Sequence, residues 1–199
     1  MNILTLCLVC YWLSSSVVQS PILESINISC FHQMSIKRSN RNEGNHLMHE
    51  KEIQYFLEAF QLAKEQFFVD AIQIFQKLVD DFPESDLADD ALYDIGFCYY
   101  EMNQFQKSIE VLEKMVRKYP DGTITTLENS NEYGKTAAKA YYLIVQCNIG
   151  LGNIQKAESY LPILEKYTDT YVLIKSEKTY FAQLAKDAIN AFMKLKDRV

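Results

Sequence analysis

Hydrophobic residues recur every three or four positions through most of the chain after residue 50. The clearest segment is 86–101, where Leu92, Ile95 and Tyr99 keep this spacing, and segment 104–118 continues it after a short polar break. Such spacing puts apolar side chains on one face of an α-helix. The pattern therefore predicts two amphipathic helices that are joined by a turn and pack through their apolar faces.

A proline closes two successive units of this kind. Gln76–Pro83 reads QKLVDDFP and Glu113–Pro120 reads EKMVRKYP, so the two prolines stand 37 residues apart. Both copies carry a lysine and a valine at the same offsets and an aromatic residue directly before the proline. Proline stops a helix, and one hairpin cannot bury its apolar face alone. The repeat therefore predicts a stack of helical hairpins.

The residues of these units resemble the tetratricopeptide repeat, whose pattern runs W-x2-L-G-x2-Y, then A-x3-F, then P. The second unit supplies Leu92-x2-Ile95-Gly96-x2-Tyr99, then Ser108-x3-Leu112, then Pro120. The first unit supplies Tyr55, Ala59, Leu62, Ala71, Phe75 and Pro83, and the third, weaker unit supplies Tyr141, Ile144, Ala157 and Leu161. The resemblance implies an all-α fold, a short TPR-type α-solenoid of stacked antiparallel helical hairpins with a C-terminal capping helix.

The units define the domain boundaries. We expect one helical domain over 48–199, with repeats at about 52–85, 89–122 and 138–171 and a capping helix at 174–197. The polar insertion Asp121–Tyr133 separates units two and three and is predicted to be a surface loop. Pro162 lies inside the second helix of unit three and is expected to kink or shorten it.

Residues 1–47 differ from the rest of the chain. The apolar run Ile3–Leu13 resembles the core of a secretory signal peptide and is shorter than the ~20 residues that cross a bilayer. The polar remainder is predicted to be disordered. Met48 directly precedes the first amphipathic helix, so two alternatives stay open. A functional leader in residues 1–20 places the protein in the periplasm or cell envelope, and translation from Met48 places it in the cytoplasm.

Charge and composition narrow the classes of function. The formal net charge of -6 disfavours nucleic acid as a partner, because phosphates repel an acidic protein. His32, His46 and His49 all precede the repeats, and no phosphate-binding loop or nucleophile elbow occurs. We therefore expect no catalytic site, no metal and no cofactor. Cys98 and Cys147 fall on predicted helix faces and are expected to be small buried packing groups.

The first helix of each unit is expected to line a concave groove, as in other helical solenoids. Its candidate positions combine aromatic walls with a polar rim, which suits the capture of an extended or helical peptide. The alternative is that this aromatic stripe packs inside the stack as core. The predicted groove residues are Phe56, Phe60, Asp90, Tyr93, Phe97, Tyr100, Glu101, Tyr142 and Gln146, and Lys139 occupies a corresponding position in unit three.

The unit ends, Phe-Pro-Glu-Ser-Asp and Tyr-Pro-Asp-Gly at a 37-residue spacing, are similar to those of a bacterial envelope branch of these repeats. That branch includes the Tol–Pal-associated protein of the YbgF/CpoB type and the outer-membrane assembly lipoprotein BamD. The resemblance implies a non-catalytic scaffold or adaptor that binds a protein or peptide. The alternative is a structural module for homo-oligomerisation or cell-envelope assembly. We expect no integral membrane span in the repeat domain.

Overall fold

The computed structural model describes residues 43–125 and 131–196, with side chains from residue 49 onward. The possible leader at 1–20 lies outside these residues. The first helix begins at Glu43, five residues before Met48. The helices are α1 (Glu43–Lys64), α2 (Phe68–Asp81), α3 (Ala88–Glu101), α4 (Phe105–Lys118), α5 (Thr136–Gly150), α6 (Ile154–Ser159), α7 (Leu161–Leu164) and α8 (Phe181–Lys196).

Consecutive helices stack into hairpins. Helix α1 packs on α2 and α3 packs on α4, while α2 contacts α3 and α4 contacts α5, so the units follow one another without a break. The first helices of neighbouring units also touch, α1 against α3 and α3 against α5. The predicted all-α solenoid of helical hairpins is confirmed.

The same turn closes the first helix of every unit. Gln66, Asn103 and Gly152 have φ values of 66°, 59° and 75°, the left-handed conformation that ends a helix. In each turn an amide bonds back to the carbonyl five residues earlier: Phe67 N–H to Leu62 O, Gln104 N–H to Tyr99 O, and Asn153 N–H to Asn148 O. Positions 66 and 103 are 37 residues apart, and 103 and 152 are 49 apart. The insertion thus adds 12 residues to a regular repeat.

Small residues let paired helices approach closely, as the repeat pattern predicts. A Cβ atom on Gly96 would lie 2.7 Å from both Cγ and Cδ2 of Leu112 on the facing helix. The Ser108 hydroxyl donates to the Gly96 carbonyl at 2.7 Å, and the Cys147 thiol donates to Ser108 Oγ at 3.3 Å. These contacts link α3, α4 and α5. Cys98 and Cys147 are free buried thiols, as expected.

Unit three has a broken second helix. The segment expected to be kinked by Pro162 forms two short helices, α6 and α7, and the proline lies in the first turn of the second. Helix α8 packs on α5, α6 and α7 and buries Phe181, Leu184 and Ile189. It covers the end of the stack, which is the role predicted for the capping helix.

A three-stranded antiparallel sheet was not predicted. Its strands are β1 (Glu132–Tyr133), β2 (Tyr171–Ile174) and β3 (Glu177–Tyr180), in the order β1-β2-β3. The capping helix therefore begins at Phe181 and not near 174, because Lys175 and Ser176 turn the chain with φ values of 52° and 70°. Two left-handed residues in a two-residue loop are typical of a hairpin.

The insertion is likewise not a simple surface loop. Thr123 near its start pairs with Lys135, two residues after its end, and β1 joins it to the sheet through the Glu132–Val172 and Tyr133–Tyr171 pairs. Ile124 and Glu132 are both buried. Apolar and charged side chains within a polar segment thus anchor both ends of the insertion to the helices.

Candidate binding groove on the first helices

All nine predicted groove residues lie on the first helices of the three units, α1, α3 and α5. Helix α3 contacts both α1 and α5. The structure divides them into two groups. The buried group is Phe56, Asp90, Tyr93 and Tyr142, each 5–8% exposed. The half-buried group is Phe60, Phe97, Tyr100, Glu101 and Gln146.

The half-buried Phe60, Phe97 and Tyr100 belong to stacked aromatic pairs within their helices. Phe56 and Phe60 stack with ring centroids 6.4 Å apart, and Phe97 and Tyr100 stack at 6.3 Å. Tyr100 also tilts against Phe105 at 5.6 Å, where α4 begins. Each outer ring keeps one part against the core and one part in solvent. Rings held in this way offer apolar contact area that loses little conformational entropy on binding.

The insertion covers one end of the predicted groove, where α3 begins. The Thr125 amide donates to Asp90 Oδ2 at 2.9 Å. Gly122 approaches α3 so closely that a Cβ atom there would lie 2.2 Å from Asp89 Oδ2. The insertion thus accounts for the burial of Asp90 and leaves the part of α3 beyond Tyr93 uncovered by these contacts.

Lys139 is the central cation of this covered end. Its Nζ lies 2.7 Å from Glu132 Oε2 in the insertion and 4.2 Å from the centroid of the Tyr93 ring. Burial alone would lower the pKa of Lys139, but Glu132, Tyr93 and Asp94 outweigh that effect and raise it. The ammonium therefore stays charged and ties the insertion to both α3 and α5.

Two aspartates near Lys139 have strongly perturbed acidity. Burial raises the pKa of Asp90 to about 7, assisted by the charge of Asp89 and opposed by Thr125 and Lys139. Burial raises the pKa of Asp94 to about 7 as well, with Lys139 opposing the change and Asp90 and Glu132 reinforcing it. The single positive charge of Lys139 thus does not neutralise all the carboxylates around it.

The acidic stripe continues along α3 to its C-terminal end. Burial raises the pKa of Glu101, and both Asp94 and Glu101 act on the Cys98 thiol between them, adding to the burial that raises the pKa of Cys98. Asp90, Asp94, Phe97 and Glu101 follow one another at spacings of four, three and four, so they share one helix face. This face combines carboxylates with an aromatic ring.

Sequence reasoning missed Asp94, Glu132 and Thr125. Asp94 has a detectable signal, since it stands four residues after Asp90 on the predicted groove helix. Glu132 and Thr125 have none, because they reach the groove only through the fold of the insertion. The predicted groove residue Gln146 donates its amide hydrogen to the Tyr142 hydroxyl at 2.6 Å. The Tyr142 ring packs on Phe181 of α8.

In the part of the chain that the structure describes, no group of three or more His, Cys, Asp or Glu side chains is arranged to hold a metal ion. None of the helices in 43–125 or 131–196 has the length and apolarity needed to cross a membrane.

Comparison with known proteins agrees with this architecture. Residues 90–122 match the family model described as tetratricopeptide repeat, which corresponds to the second unit. The chain is similar in structure to the type III secretion translocator chaperone SycD of Yersinia enterocolitica, with 17% sequence identity and a TM-score of 0.51. That similarity covers 89% of this chain and 99% of the chaperone chain, and at such low identity it concerns the fold. No curated protein matches the sequence. The relation to the YbgF/CpoB and BamD branch stays a prediction.

Proposed function

We propose that this protein is a non-catalytic adaptor that binds a segment of another protein along the uncovered part of α1 and α3. The observation that carries the proposal is the row of half-buried rings, Phe60, Phe97 and Tyr100, on helices that stack side by side. The tetratricopeptide match and the similarity to a secretion chaperone support an interaction role.

The geometry suits a short segment of chain better than a large flat partner. The insertion and Lys139 fill the end of the groove near α5, so the uncovered length runs over α1 and the second half of α3. The second half of the 14-residue helix α3 spans about 10 Å at 1.5 Å per residue, which matches about three residues of an extended segment, and the rest of the segment would lie over α1. Aromatic anchors with a polar rim are typical of such peptide sites.

Site-specific photo-cross-linking tests the proposal without removing the packed rings. A photoreactive phenylalanine analogue at position 97 should capture a defined partner in native extract, and the same analogue at exposed Leu151 should not. The cross-linked partner peptide, identified by mass spectrometry, should then bind the purified protein. Cross-links that are the same from both positions, or a peptide that does not bind, would contradict the groove.

Substitution of the aromatic residues is the second test of the proposed groove. Phe97→Ala/Tyr100→Ala should weaken binding of that peptide at least tenfold, since each ring is a candidate anchor. Leu151→Ala/Met193→Ala removes two exposed apolar side chains elsewhere and should leave the affinity unchanged. Circular dichroism must first show that both variants are folded, because Phe97 and Tyr100 also pack against the core.

Self-association is the second candidate. Phe67 is 54% exposed in the turn before α2, and Val69 is 59% exposed in the first turn of α2. Binding of a second copy of the chain would bury these apolar side chains. Sedimentation velocity over a wide concentration range tests this. A mass that rises with concentration, and that Phe67→Ser/Val69→Ser returns to that of a monomer, would establish it.

A further inference from the structure

The carboxylates on and around the inner face of α3 carry more negative charge than the nearby cation neutralises. Asp89 and Asp90 from α3 and Glu132 from the insertion are all buried, and Asp94 is half-buried beside them. Lys139 is the cation that opposes the raised pKa of both Asp90 and Asp94. Its ammonium is already engaged by Glu132 at 2.7 Å and by the Tyr93 ring. The excess charge is therefore concentrated where the covered end of the groove meets the uncovered part.

Asp94 and Glu101 mark the uncovered part of this stripe. Neither carboxylate makes a hydrogen bond or an ion pair within the described residues, and burial raises the pKa of each. They are seven residues apart on one helix face, about 10 Å along the axis, and Phe97 lies between them. Lys139 attracts Asp94 without forming a direct ion pair with it, and among the described residues no cation acts on Glu101. A half-buried carboxylate without a direct partner loses hydration that a cation can replace.

The chemistry of this face selects a particular kind of side chain. A lysine or arginine has an apolar stem that packs on a ring and a cationic head that pairs with a carboxylate. Arginine also stacks on aromatic faces. An acidic or phosphorylated segment would meet like charge in a half-desolvated site, which costs binding free energy.

We infer that the segment bound in this groove is basic, and that it places a lysine or arginine side chain against Phe97 with its cationic head between Asp94 and Glu101. This inference rests on the proposed function and names the chemistry of its partner. The apolar residues of the segment contact Phe60 and Tyr100, and the cation fixes its position along α3.

Selection from a random peptide library tests the inference. Twelve-residue peptides displayed on phage are selected against the immobilised full chain as wild type, as Asp94→Asn/Glu101→Gln, and as Glu84→Gln/Glu158→Gln. The last variant removes the same two charges from exposed positions, so it controls for the net charge of the protein. We expect lysine and arginine to be enriched by the wild type and by the charge control, and the enrichment to disappear with Asp94→Asn/Glu101→Gln.

Synthetic peptides make the test quantitative. Replacing the selected lysine or arginine by glutamine should weaken binding to wild type about tenfold or more, the range of a charge-assisted contact. The same replacement should have little effect on binding to Asp94→Asn/Glu101→Gln. Equal losses on both proteins would overturn the assignment of these two carboxylates.

The pH dependence adds a readout that packing alone would not produce. Asp94 faces Asp90 on its own helix, Lys139 on α5 and Glu132 in the insertion, and its pKa is about 7. Lowering the pH from 8 to 6 should therefore weaken binding of the basic peptide and leave the glutamine peptide nearly unaffected. A basic peptide that binds equally at both pH values would contradict the pairing with Asp94.

The outcomes separate this inference from the proposed function. Peptides that bind wild type, lose affinity with Phe97→Ala and show no preference for lysine or arginine would overturn the basic partner and leave the groove in place. A selection in which Phe97→Ala retains every peptide that the wild type enriches would overturn both.

Discussion

Buried Asp90 and half-buried Asp94 on α3 predict an unusual dependence of stability on pH. Asp90 and Asp94 have a pKa of about 7 in the folded protein and an ordinary value of 3.8 when exposed. Between these values the folded chain binds more protons than the unfolded chain, so the free energy of unfolding falls as pH rises. The stabilising effect of protonation is present at acidic pH and is lost as the pH passes through 7.

The magnitude follows from the size of the shift. For one group with these two pKa values, the free energy of unfolding should be about 1.4 kcal/mol greater at pH 6 than at pH 8. The two aspartates interact with each other and with Lys139, so we expect a combined difference of about 1–3 kcal/mol. Most proteins show no such loss between these pH values, since their carboxylates titrate well below 6.

Urea unfolding followed by circular dichroism at 222 nm, at half-unit steps from pH 6 to pH 8, measures this difference. Asp90→Asn/Asp94→Asn should flatten the profile, because the neutral amides no longer titrate. Exposed Asp81→Asn is the matched control and should retain the wild-type slope. A free energy of unfolding that is constant or rises towards pH 8 in wild type would refute the reasoning.

Three further substitutions test the packing around the groove. Gly96→Ala should destabilise the fold by about 1 kcal/mol net in urea unfolding, because overpacking Leu112 costs more than the ~1 kcal/mol gained in helix propensity; a more stable variant would contradict this. Lys139→Met should cost about 3–5 kcal/mol at pH 8, since it leaves Glu132 buried without its cation, and less at pH 6, where Asp90 and Asp94 are largely protonated and need the cation less; an equal cost at both pH values would contradict this. Gly134→Ala, at φ 108° with Thr170 Cα 2.7 Å from the added Cβ, should speed hydrogen exchange of the β1 amides, and unchanged protection would contradict the strain.

The helical stack could be predicted because its signals are local and repeated. The positions of Gly96, Ser108 and Leu112 are set by the approach of two helices within one unit, so they appear in the sequence at fixed spacing. Pro162 acts on its own helix, and its effect was also predicted correctly. Each of these residues acts through neighbours a few positions away or one helix away, and repetition reinforces the signal.

The sheet and the covered end of the groove could not be predicted for the opposite reason. The turn at Lys175 and Ser176 has neither glycine nor asparagine, the residues that usually mark two left-handed positions. Glu132 pairs with Lys139 on α5, and Thr125 bonds to Asp90 some 35 residues away. Neither contact follows a helical or strand period. The sequence therefore reveals a polar insertion but not the residues that the insertion contacts.

These long-range contacts also determine which half of the predicted groove we expect to bind a partner. The Thr125 amide of the insertion bonds to Asp90, and Glu132 of the insertion pairs with Lys139 beside the Tyr93 ring. Tyr142 packs instead on Phe181 of α8. The insertion also concentrates carboxylates beside Lys139. We therefore expect a partner to contact the residues left uncovered, Phe97 and Glu101, with half-buried Asp94 at the border. We therefore expect the specificity of the proposed groove to depend on the insertion as much as on the repeat itself.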